Sequence, residues 1–311
     1  MMNAIELQDV TKTFGSHVAV DHLSLAVPPG SIYGFIGPNG SGKTTTLRMI
    51  MRIFMPDSGT IRVLGQDHPG VLDQVSYLPE ERMLYKTMRV HEVLRFFANL
   101  KGYDPPKGEI DGWLDRLFPS EGSSRIHHLK VEALSKGMTQ KVQLIATLIS
   151  KPKVVLLDEP FSGLDPVNAQ TLRDAILDLR RSGTTVIFST HDMSVAEKMC
   201  DFIFMIYKGR KVLDGTLSAI QQQYGRDVIR VRLAEKSDGE LAELPGVAGV
   251  VDHGNLQELR VTADADAQQI LRELAARFTV EHFEVAAPSL HDIFVRIAAP
   301  EPKTTGEKVM A

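Results

Sequence analysis

The stretch SIYGFIGPNGSGKTTTLRMI, residues 31–50, decides the fold. Its first six residues are mostly apolar and predict a strand, and its last residues predict a helix. Between them lies GPNGSGKT, Gly37 to Thr44, which matches the pattern G-x-x-x-x-G-K-[ST]. Glycines let the backbone wrap around a phosphate chain, and the N–H groups at a helix start attract negative charge. A strand, this loop and a helix in that order predict a binding site for a nucleoside triphosphate.

Every residue of the loop is expected to contribute to that site. The ammonium group of Lys43 can reach the outer phosphates, and the hydroxyl of Thr44 can bind Mg²⁺. The predicted nucleotide-binding residues of the loop are Gly37, Pro38, Asn39, Gly40, Ser41, Gly42, Lys43, Thr44 and Thr45. Many unrelated nucleotide-driven proteins carry such a loop, so the loop alone leaves the function open.

A pair of acids follows an apolar run further along the chain. The stretch KVVLLDEPFSGLD, residues 153–165, places Asp158 and Glu159 at the end of a predicted buried strand. A carboxylate there is costly to desolvate unless a cation or a hydrogen-bond donor accompanies it. Asp158 is predicted to hold Mg²⁺, and Glu159 to orient and deprotonate the attacking water. A lone acid pair is often a solvated strand end, but beside a phosphate loop it favours nucleotide hydrolysis.

The order of elements predicts two domains. Strands and helices alternate over residues 3–220, which is typical of an α/β fold with a largely parallel sheet and helices on its faces. The pattern is helical from about residue 87 to 150, so a helical subdomain is expected there. Residues 226–298 have the approximate order β-α-β-β-α-β-α and resemble a small ferredoxin-like α+β domain. The polar residues 299–311 predict a flexible tail.

Composition narrows the class of protein. The 311 residues, 43% hydrophobic and 24% charged, suffice for one large domain and a smaller one. A net charge of −4 argues against nucleic acid as the main partner. The single cysteine, Cys200, cannot form an intrachain disulfide and is expected to be an inert packed thiol. Apolar runs such as FIFMIY, residues 202–207, are far shorter than the roughly 20 residues of a membrane span, so any membrane role is expected to come through a partner.

Together these motifs resemble the ATP-binding subunits of ABC transporters, over about residues 3–220 and in that family's order. In the family, GPNGSGKT is the Walker A loop of the P-loop NTPase fold and VVLLDE is Walker B. The resemblance implies that Phe14, in TKTFG, stacks on adenine and that His191, in FSTHD, contacts the γ-phosphate. It also implies that Asp165, in SGLD, belongs to the D-loop, through which two protomers communicate. The residues alone leave Phe14 open to a core role and His191 to a structural one.

The stretch EALSKGMTQKVQL, residues 132–144, lies where the family has its LSGGQ signature. The resemblance implies that Ser135 and Gly137 of one chain grip the γ-phosphate of ATP bound by a second chain. Lys136 and Met138 replace a glycine and a glutamine of the family pattern. Their effect on turnover is an open question at this point.

A second departure concerns the Q-loop. The stretch VSYLPEER, residues 75–82, has Glu80 where the family has a glutamine. A carboxylate can still bind Mg²⁺ or its water, although it adds a negative charge. Glu80 therefore joins Thr44 and Asp158 as a predicted Mg²⁺ ligand.

The resemblance also implies partners. One is an integral-membrane permease subunit, whose coupling helix would dock near RMLYKTM, residues 82–88, although ordinary packing explains these residues equally well. Another is a second copy of the chain or a homologous ATPase subunit, closing with it around ATP at the cytoplasmic face of the cell membrane. The C-terminal domain, with APSLHDIFVRI at residues 287–297, is similar to an extension on bacterial ABC ATPases that serve exporters.

Two other functions remain open on the sequence alone. One is a soluble ABC-type ATPase that acts on ribosomes or DNA, against which stand the single cassette and the lack of a basic tract or sustained heptads. The other is a regulatory ABC ATPase without transport, which the altered signature and Glu80 keep in play. The adjacent residues His127 and His128 are expected to have a surface role, because adjacent side chains diverge on a helix.

Overall fold

The computed structural model describes residues 2–81, 84–224, 228–235, 239–262 and 264–298. These residues form two compact units, divided between Leu217 and Ser218. The expected tail, residues 299–311, lies outside the described residues, as do Arg82 and Met83 of the expected docking segment. Within the described ranges no helix is long and apolar enough to cross a membrane.

The first unit contains two β-sheets. Its strands are β1 (Ile5–Phe14), β2 (His17–Val27), β3 (Ile32–Ile36), β4 (Ser58–Val63), β5 (Val75–Leu78), β6 (Val154–Asp158), β7 (Thr185–Thr190), β8 (Phe202–Tyr207) and β9 (Arg210–Gly215). The central sheet has the order β5-β6-β7-β3-β8-β9, parallel except for β9. Strands β2, β1 and β4 form a separate antiparallel sheet.

The sequence predicts the parallel core but not the antiparallel parts. The pairs β1–β2 and β8–β9 are joined by tight turns, and a turn of that length permits only antiparallel pairing, since parallel strands need a longer crossover. All residues of β3, β6 and β7 are buried, as expected for strands covered on both faces.

Helices cover both sides of the central sheet. They are α1 (Lys43–Ile50), α2 (Val90–Leu100), α3 (Glu109–Leu117), α4 (Ser123–His128), α5 (Lys136–Leu148), α6 (Pro166–Arg181) and α7 (Met193–Met199). The next helix, α8 (Leu217–Tyr224), belongs from Ser218 onwards to the second unit. Helix α1 is shorter than the apolar pattern suggests, because Arg52 adopts a left-handed conformation with φ +55° soon after its end.

Side chains of the central strands point alternately into two hydrophobic cores. Val155 and Leu157 of β6 pack with helices α2 to α5, which occupy the expected helical subdomain. Val154 and Leu156 pack on the other side with α1 and the antiparallel sheet. The loop after β3 therefore sits at the carboxyl edge of a sheet that is held rigidly from both faces.

The second unit is a four-stranded antiparallel sheet with helices. Its elements are β10 (Val228–Leu233), β11 (Val247–Asp252), β12 (Gln257–Val261), α9 (Ala267–Arg277), β13 (Val280–Ala286) and α10 (Leu290–Ala298). The strand order β11-β12-β10-β13 is that of the expected ferredoxin-like domain. One expected helix differs: between β10 and β11 the described residues contain a short 3₁₀ helix, Glu240–Glu243. This helix is preceded by Gly239 and followed by Pro245-Gly246, and these residues disfavour its extension in either direction.

Candidate nucleotide-binding site

The phosphate loop connects the end of β3 to the start of α1. The ammonium group of Lys43 is buried and donates to the carbonyl oxygens of Gly37, at 2.7 Å, and Pro38, at 3.2 Å. Burial lowers the pKa of Lys43, and the charge of Glu159 opposes that shift. The lysine is thus held inside the curve of the loop, where its charge faces the centre of the turn.

Glycine is required at Gly42 for two reasons. Its φ of +110° is a conformation that other residues rarely adopt, and a Cβ there would lie 2.6 Å from the carbonyl oxygen of Ala19. The loop therefore lies directly against β2, which brings the N-terminal sheet beside the site.

A cleft of about 360 Å³ opens over the loop. It is lined by loop residues 39–45 together with Phe14, His17, Ala19, Glu80 and Glu159. Phe14 is not a core aromatic, because its side chain is 43% exposed and rests edge-on against Phe54, with 5.3 Å between ring centroids. The cleft thus combines an exposed aromatic ring, a cationic loop and two carboxylates.

Two residues that line this cleft, His17 and Ala19, were not singled out from the sequence. A usable signal was present, because both follow Phe14 across a tight turn and point to the same side of β2.

The carboxylate of Asp158 lies at the end of β6 and is only 1% exposed. Its Oδ1 accepts hydrogen bonds from the hydroxyls of Ser189, at 2.6 Å, and Thr44, at 3.1 Å. Its Oδ2 accepts from the hydroxyl of Tyr77 at 3.1 Å. Sequence reasoning found Asp158 and Thr44 but missed Ser189 and Tyr77, whose approach depends on how β5, β6 and β7 pair.

Glu159 points its carboxylate between the loop and the end of β7. Its Oε1 lies 3.6 Å from Nζ of Lys43, and its Oε2 lies 3.1 Å from Nδ1 of His191. Its backbone N–H donates to Ser189 Oγ at 2.9 Å. The residue has φ +48°, a strained conformation for a non-glycine residue and one that is common at functional sites.

The oxygen atoms around the loop fit a Mg²⁺–nucleotide complex. Thr44 and Asp158 offer a hydroxyl and a carboxylate side by side, and Glu80 lines the same cleft. The buried atoms Ser41 Oγ and Glu159 Oε1 have no hydrogen-bond partner in the described part of the chain. Mg²⁺ retains water and phosphate oxygens as ligands and needs only one or two carboxylates. Among the described residues, no group of three or more acidic, histidine or cysteine side chains is arranged to hold a metal ion.

The signature residues lie apart from this cleft. Ser135 is exposed and caps α5, where its hydroxyl accepts a hydrogen bond from the N–H of Met138 at 3.3 Å. A Cβ at Gly137 would lie 2.8 Å from the side-chain nitrogen of Asn168 on α6. Among the described residues, none of Ser135, Lys136, Gly137 and Met138 lines the cleft over the loop.

Two of the three residues that depart from the family pattern, Glu80 and Lys136, line a smaller cavity of about 150 Å³. Lys136 lines it together with Glu80, Asp158 and Glu159. Asp165 follows Asp158 and Glu159 in the sequence and lies at the start of α6. It caps that helix by accepting hydrogen bonds from two backbone N–H groups, each at 3.0 Å.

Two side-chain predictions outside the site have different outcomes. Cys200 is packed against Gly34 of β3, and burial strongly raises the pKa of its thiol, which agrees with an inert cysteine. The expectation that His127 and His128 diverge is wrong, because their rings stack with centroids 5.0 Å apart. Helix α4 ends at His128, and both rings turn towards the ring of His91 on α2.

Comparisons with known proteins agree with this geometry. The family profile described as ABC transporter matches residues 20–162, and the profile described as ATP-binding protein DrrA1-3-like, C-terminal domain, matches residues 215–298. The ABC transporter ATP-binding protein YhaQ of Bacillus subtilis (strain 168) is 36% identical, over 94% of this chain and 97% of that protein. The daunorubicin/doxorubicin resistance ATP-binding protein DrrA of Streptomyces peucetius is 31% identical, over 94% of this chain and 92% of that protein.

A solved structure of the ATP-binding subunit of an ABC transporter has a TM-score of 0.65 and 30% identity to this chain, covering 71% of this chain and 93% of that one. The comparisons confirm the predicted cassette with its C-terminal extension, and the role of an ATPase subunit in transport. They lend no support to a ribosome-directed, DNA-directed or purely regulatory ATPase. The chain belongs to the family of ABC transporter ATP-binding proteins, whose members bind and hydrolyse ATP.

Proposed function

We propose that this chain is the ATPase subunit of an exporter and that two copies close around two molecules of ATP. One observation carries the dimer: the cleft holds Lys43, Thr44 and Glu159, whereas the signature of the same chain lies outside it. A second copy related by a two-fold axis would place its Ser135 over the phosphates. The exporter role is supported by the DrrA-like C-terminal match and by the resistance function in DrrA's name.

Hydrolysis in such a dimer follows from the groups around Glu159. Its carboxylate accepts a proton from the attacking water while the bond from the γ-phosphorus to the ADP oxygen breaks. His191 lies 3.1 Å from this carboxylate and orients it, and Lys43 moves from its backbone partners onto the phosphates. Phe14 stacks on the adenine ring. Lys43, Glu159 and Phe14 already line the cleft, and His191 acts through its contact with Glu159.

Thr44, Asp158 and Glu80 would hold Mg²⁺ beside the nucleotide. The hydroxyl of Thr44 and the carboxylate of Asp158 are 3.1 Å apart, which suits joint ligation of a small cation, directly or through water. The bound ion would supply positive charge that offsets the charge of the phosphates. Glu80 adds a negative charge that the family's glutamine lacks, and Lys136, which lines the same small cavity, can offset it.

The signature residues suit a contact made in trans. Ser135 begins the 13-residue helix α5, whose N–H groups carry a partial positive charge, and its side chain is exposed. Asp165 caps the neighbouring helix α6 and so fixes the D-loop beside the signature. Both helix N-termini therefore lie on the surface, where they can contact a phosphate of ATP that is bound to a second chain.

An apolar groove of about 550 Å³ is the proposed docking site for the membrane subunit. Its lining includes Ile53, Leu84, Phe97, Leu100 and Ala146. Ile53 is 55% exposed and Leu100 is 64% exposed, which is unusual for large apolar side chains unless a partner covers them. An amphipathic helix of the permease fits such a groove. Docking there would hold the chain at the cytoplasmic face of the membrane.

A mixing experiment tests the composite site. Lys43→Gln and Ser135→Arg should each abolish ATPase activity in homodimers. Mixing the two variants should restore activity, because the mixed dimer contains one site with an intact Lys43 from one chain and an intact Ser135 from the other. Mixing Lys43→Gln with Glu159→Gln is the matched control and should restore nothing, since both residues belong to the same half-site. Failure of the first mixture to recover activity would contradict the dimer.

Docking is tested by purifying the full chain from native membranes and identifying the co-purified permease by mass spectrometry. Leu100→Glu should reduce its recovery because a charge enters the apolar groove. Val285→Glu, an equally drastic change at an exposed apolar residue of the second unit, should not. Equal recovery from both variants would place the membrane contact elsewhere.

A further inference from the structure

The side chain of Tyr77 in β5 lies between the apolar groove and the carboxylate of Asp158. It lines the groove, and its hydroxyl donates to Asp158 Oδ2 at 3.1 Å. The other oxygen of Asp158 accepts from Thr44 and Ser189. Because Asp158 is almost completely buried, the loss of any one donor leaves part of its charge uncompensated.

The hydroxyl of Tyr77 acts as a donor at neutral pH. The ordinary pKa of a tyrosine hydroxyl is about 10, so the proton is present at neutral pH. A protonated phenol beside a carboxylate can only donate to it, since an ionised carboxylate is purely an acceptor. The direction of the hydrogen bond is therefore settled by chemistry.

Arg48 of helix α1 lines the groove together with Tyr77. It is one helical turn beyond Thr44, and its positive charge acts on the Tyr77 hydroxyl. A segment that fills the groove would therefore touch Tyr77 and Arg48, and both lie one contact away from the Asp158–Thr44 pair.

We propose that Tyr77 is a positioning residue for Asp158, and that Tyr77 and Arg48 together connect the groove to this carboxylate. The inference rests on the proposed role of Asp158 as a Mg²⁺ ligand. A ligating carboxylate binds its metal more tightly when a neighbouring donor fixes its orientation. Occupation of the groove would then alter how firmly the chain holds Mg²⁺ without any groove residue entering the nucleotide cleft.

The test is Tyr77→Phe in the full chain, which keeps the ring and removes the hydroxyl. Binding of a fluorescent ATP analogue in EDTA should be unchanged, whereas the Mg²⁺ concentration that half-saturates the gain in affinity should rise about ten-fold. Tyr103→Phe is the matched control, because its hydroxyl bonds Glu109 in the helical subdomain, and it should leave the Mg²⁺ dependence unchanged. A parent-like Mg²⁺ dependence in Tyr77→Phe, or equal losses with and without Mg²⁺, would overturn the proposal.

A double-mutant cycle tests the link to the groove. Arg48→Met should shift the Mg²⁺ dependence in the same direction as Tyr77→Phe but less, and should add nothing in the Tyr77→Phe background. Effects that add on a logarithmic scale would show that Arg48 does not act through Tyr77. Asp158→Asn separates the proposals: if it leaves the Mg²⁺ dependence intact, the Mg²⁺ role itself fails. If Asp158→Asn has an effect and Tyr77→Phe has none, only the positioning role fails.

Discussion

Lys43 and Glu159 form a buried ion pair, with Nζ of the lysine 3.6 Å from Oε1 of the glutamate. Their side chains are 6% and 8% exposed, so each charge depends on the other for compensation. Removing one partner of a buried pair is costly because the remaining charge is left uncompensated. A substitution at either residue must therefore preserve size and hydrogen bonding if it is to report on catalysis rather than on folding.

Glu159→Gln is the substitution that meets this condition. We expect ATP binding to persist, because Lys43 and the rest of the phosphate loop are unchanged, and hydrolysis to fall about 100-fold or more, because the proposed general base is lost. An ATP-bound dimer should accumulate and be visible by light scattering. Glu281→Gln, at an exposed position of β13, serves as the control. Hydrolysis at the parent rate would show that Glu159 is not the base.

Glu80 can be tested by comparing two replacements. Glu80→Ala should weaken Mg²⁺-dependent turnover more than ATP binding, because it removes a carboxylate that can ligate Mg²⁺ from the cleft. Glu80→Gln should remain active, since the amide oxygen can still bind the ion or its water. Steady-state ATPase rates across a Mg²⁺ titration measure both. Unchanged rates in both variants would remove Glu80 from the site.

Turnover should depend on the sign of the charge at position 136. It lines a small cavity with the carboxylates of Glu80, Asp158 and Glu159, so Lys136→Glu adds a like charge and should lower turnover more than Lys136→Ala does. The difference should narrow at high ionic strength because salt screens the repulsion. Lys130→Glu, at a nearby exposed position, should leave turnover unchanged. Equal effects of Glu and Ala at position 136 would exclude an electrostatic role.

Gly34 on the central strand β3 should not tolerate a side chain. A Cβ there would lie 2.5 Å from Sγ of Cys200, so Gly34→Ala should lower the free energy of unfolding by about 1–3 kcal/mol. Cys200→Ala removes the clashing sulfur, so the double variant should lose less than the sum of the single losses. Denaturant unfolding of the four proteins measures the coupling, and strict additivity would refute the clash.

The thiol of Cys200 should make stability fall above pH 9. Burial, aided by the charge of Asp201, raises its pKa in the folded chain well above the ordinary 9.0. The unfolded chain therefore loses the thiol proton at a lower pH than the folded chain. The contribution of this thiol to the free energy of unfolding is complete below pH 9 and declines as the pH rises, by about 1.4 kcal/mol at pH 10. Cys200→Ala should lack this slope in unfolding measured under reducing conditions from pH 8 to 10. The same slope in both proteins would exclude the thiol as its cause.

The phosphate loop, its strand and its helix could be predicted because their signals are local. An apolar run, glycines at fixed spacing and a helix start are all written within residues 31–50. The buried strand before Asp158 and most of the order of strands and helices along residues 226–298 could also be predicted, because apolar periodicity reflects which faces a strand or helix buries. Family motifs then identified Phe14 and His191, which the structure places beside the cleft and beside Glu159.

Contacts between distant segments required the tertiary structure. Ser189 reaches Asp158 because β6 and β7 pair with these two residues in register, 31 positions apart in sequence. Tyr77 reaches the same carboxylate from β5, 81 positions away. Sequence patterns show which face of a strand is buried but not which strands are neighbours or in what register they pair. The sequence by itself therefore determined the phosphate loop and the class of fold, while sheet order and register decided which side chains surround the carboxylates of Asp158 and Glu159.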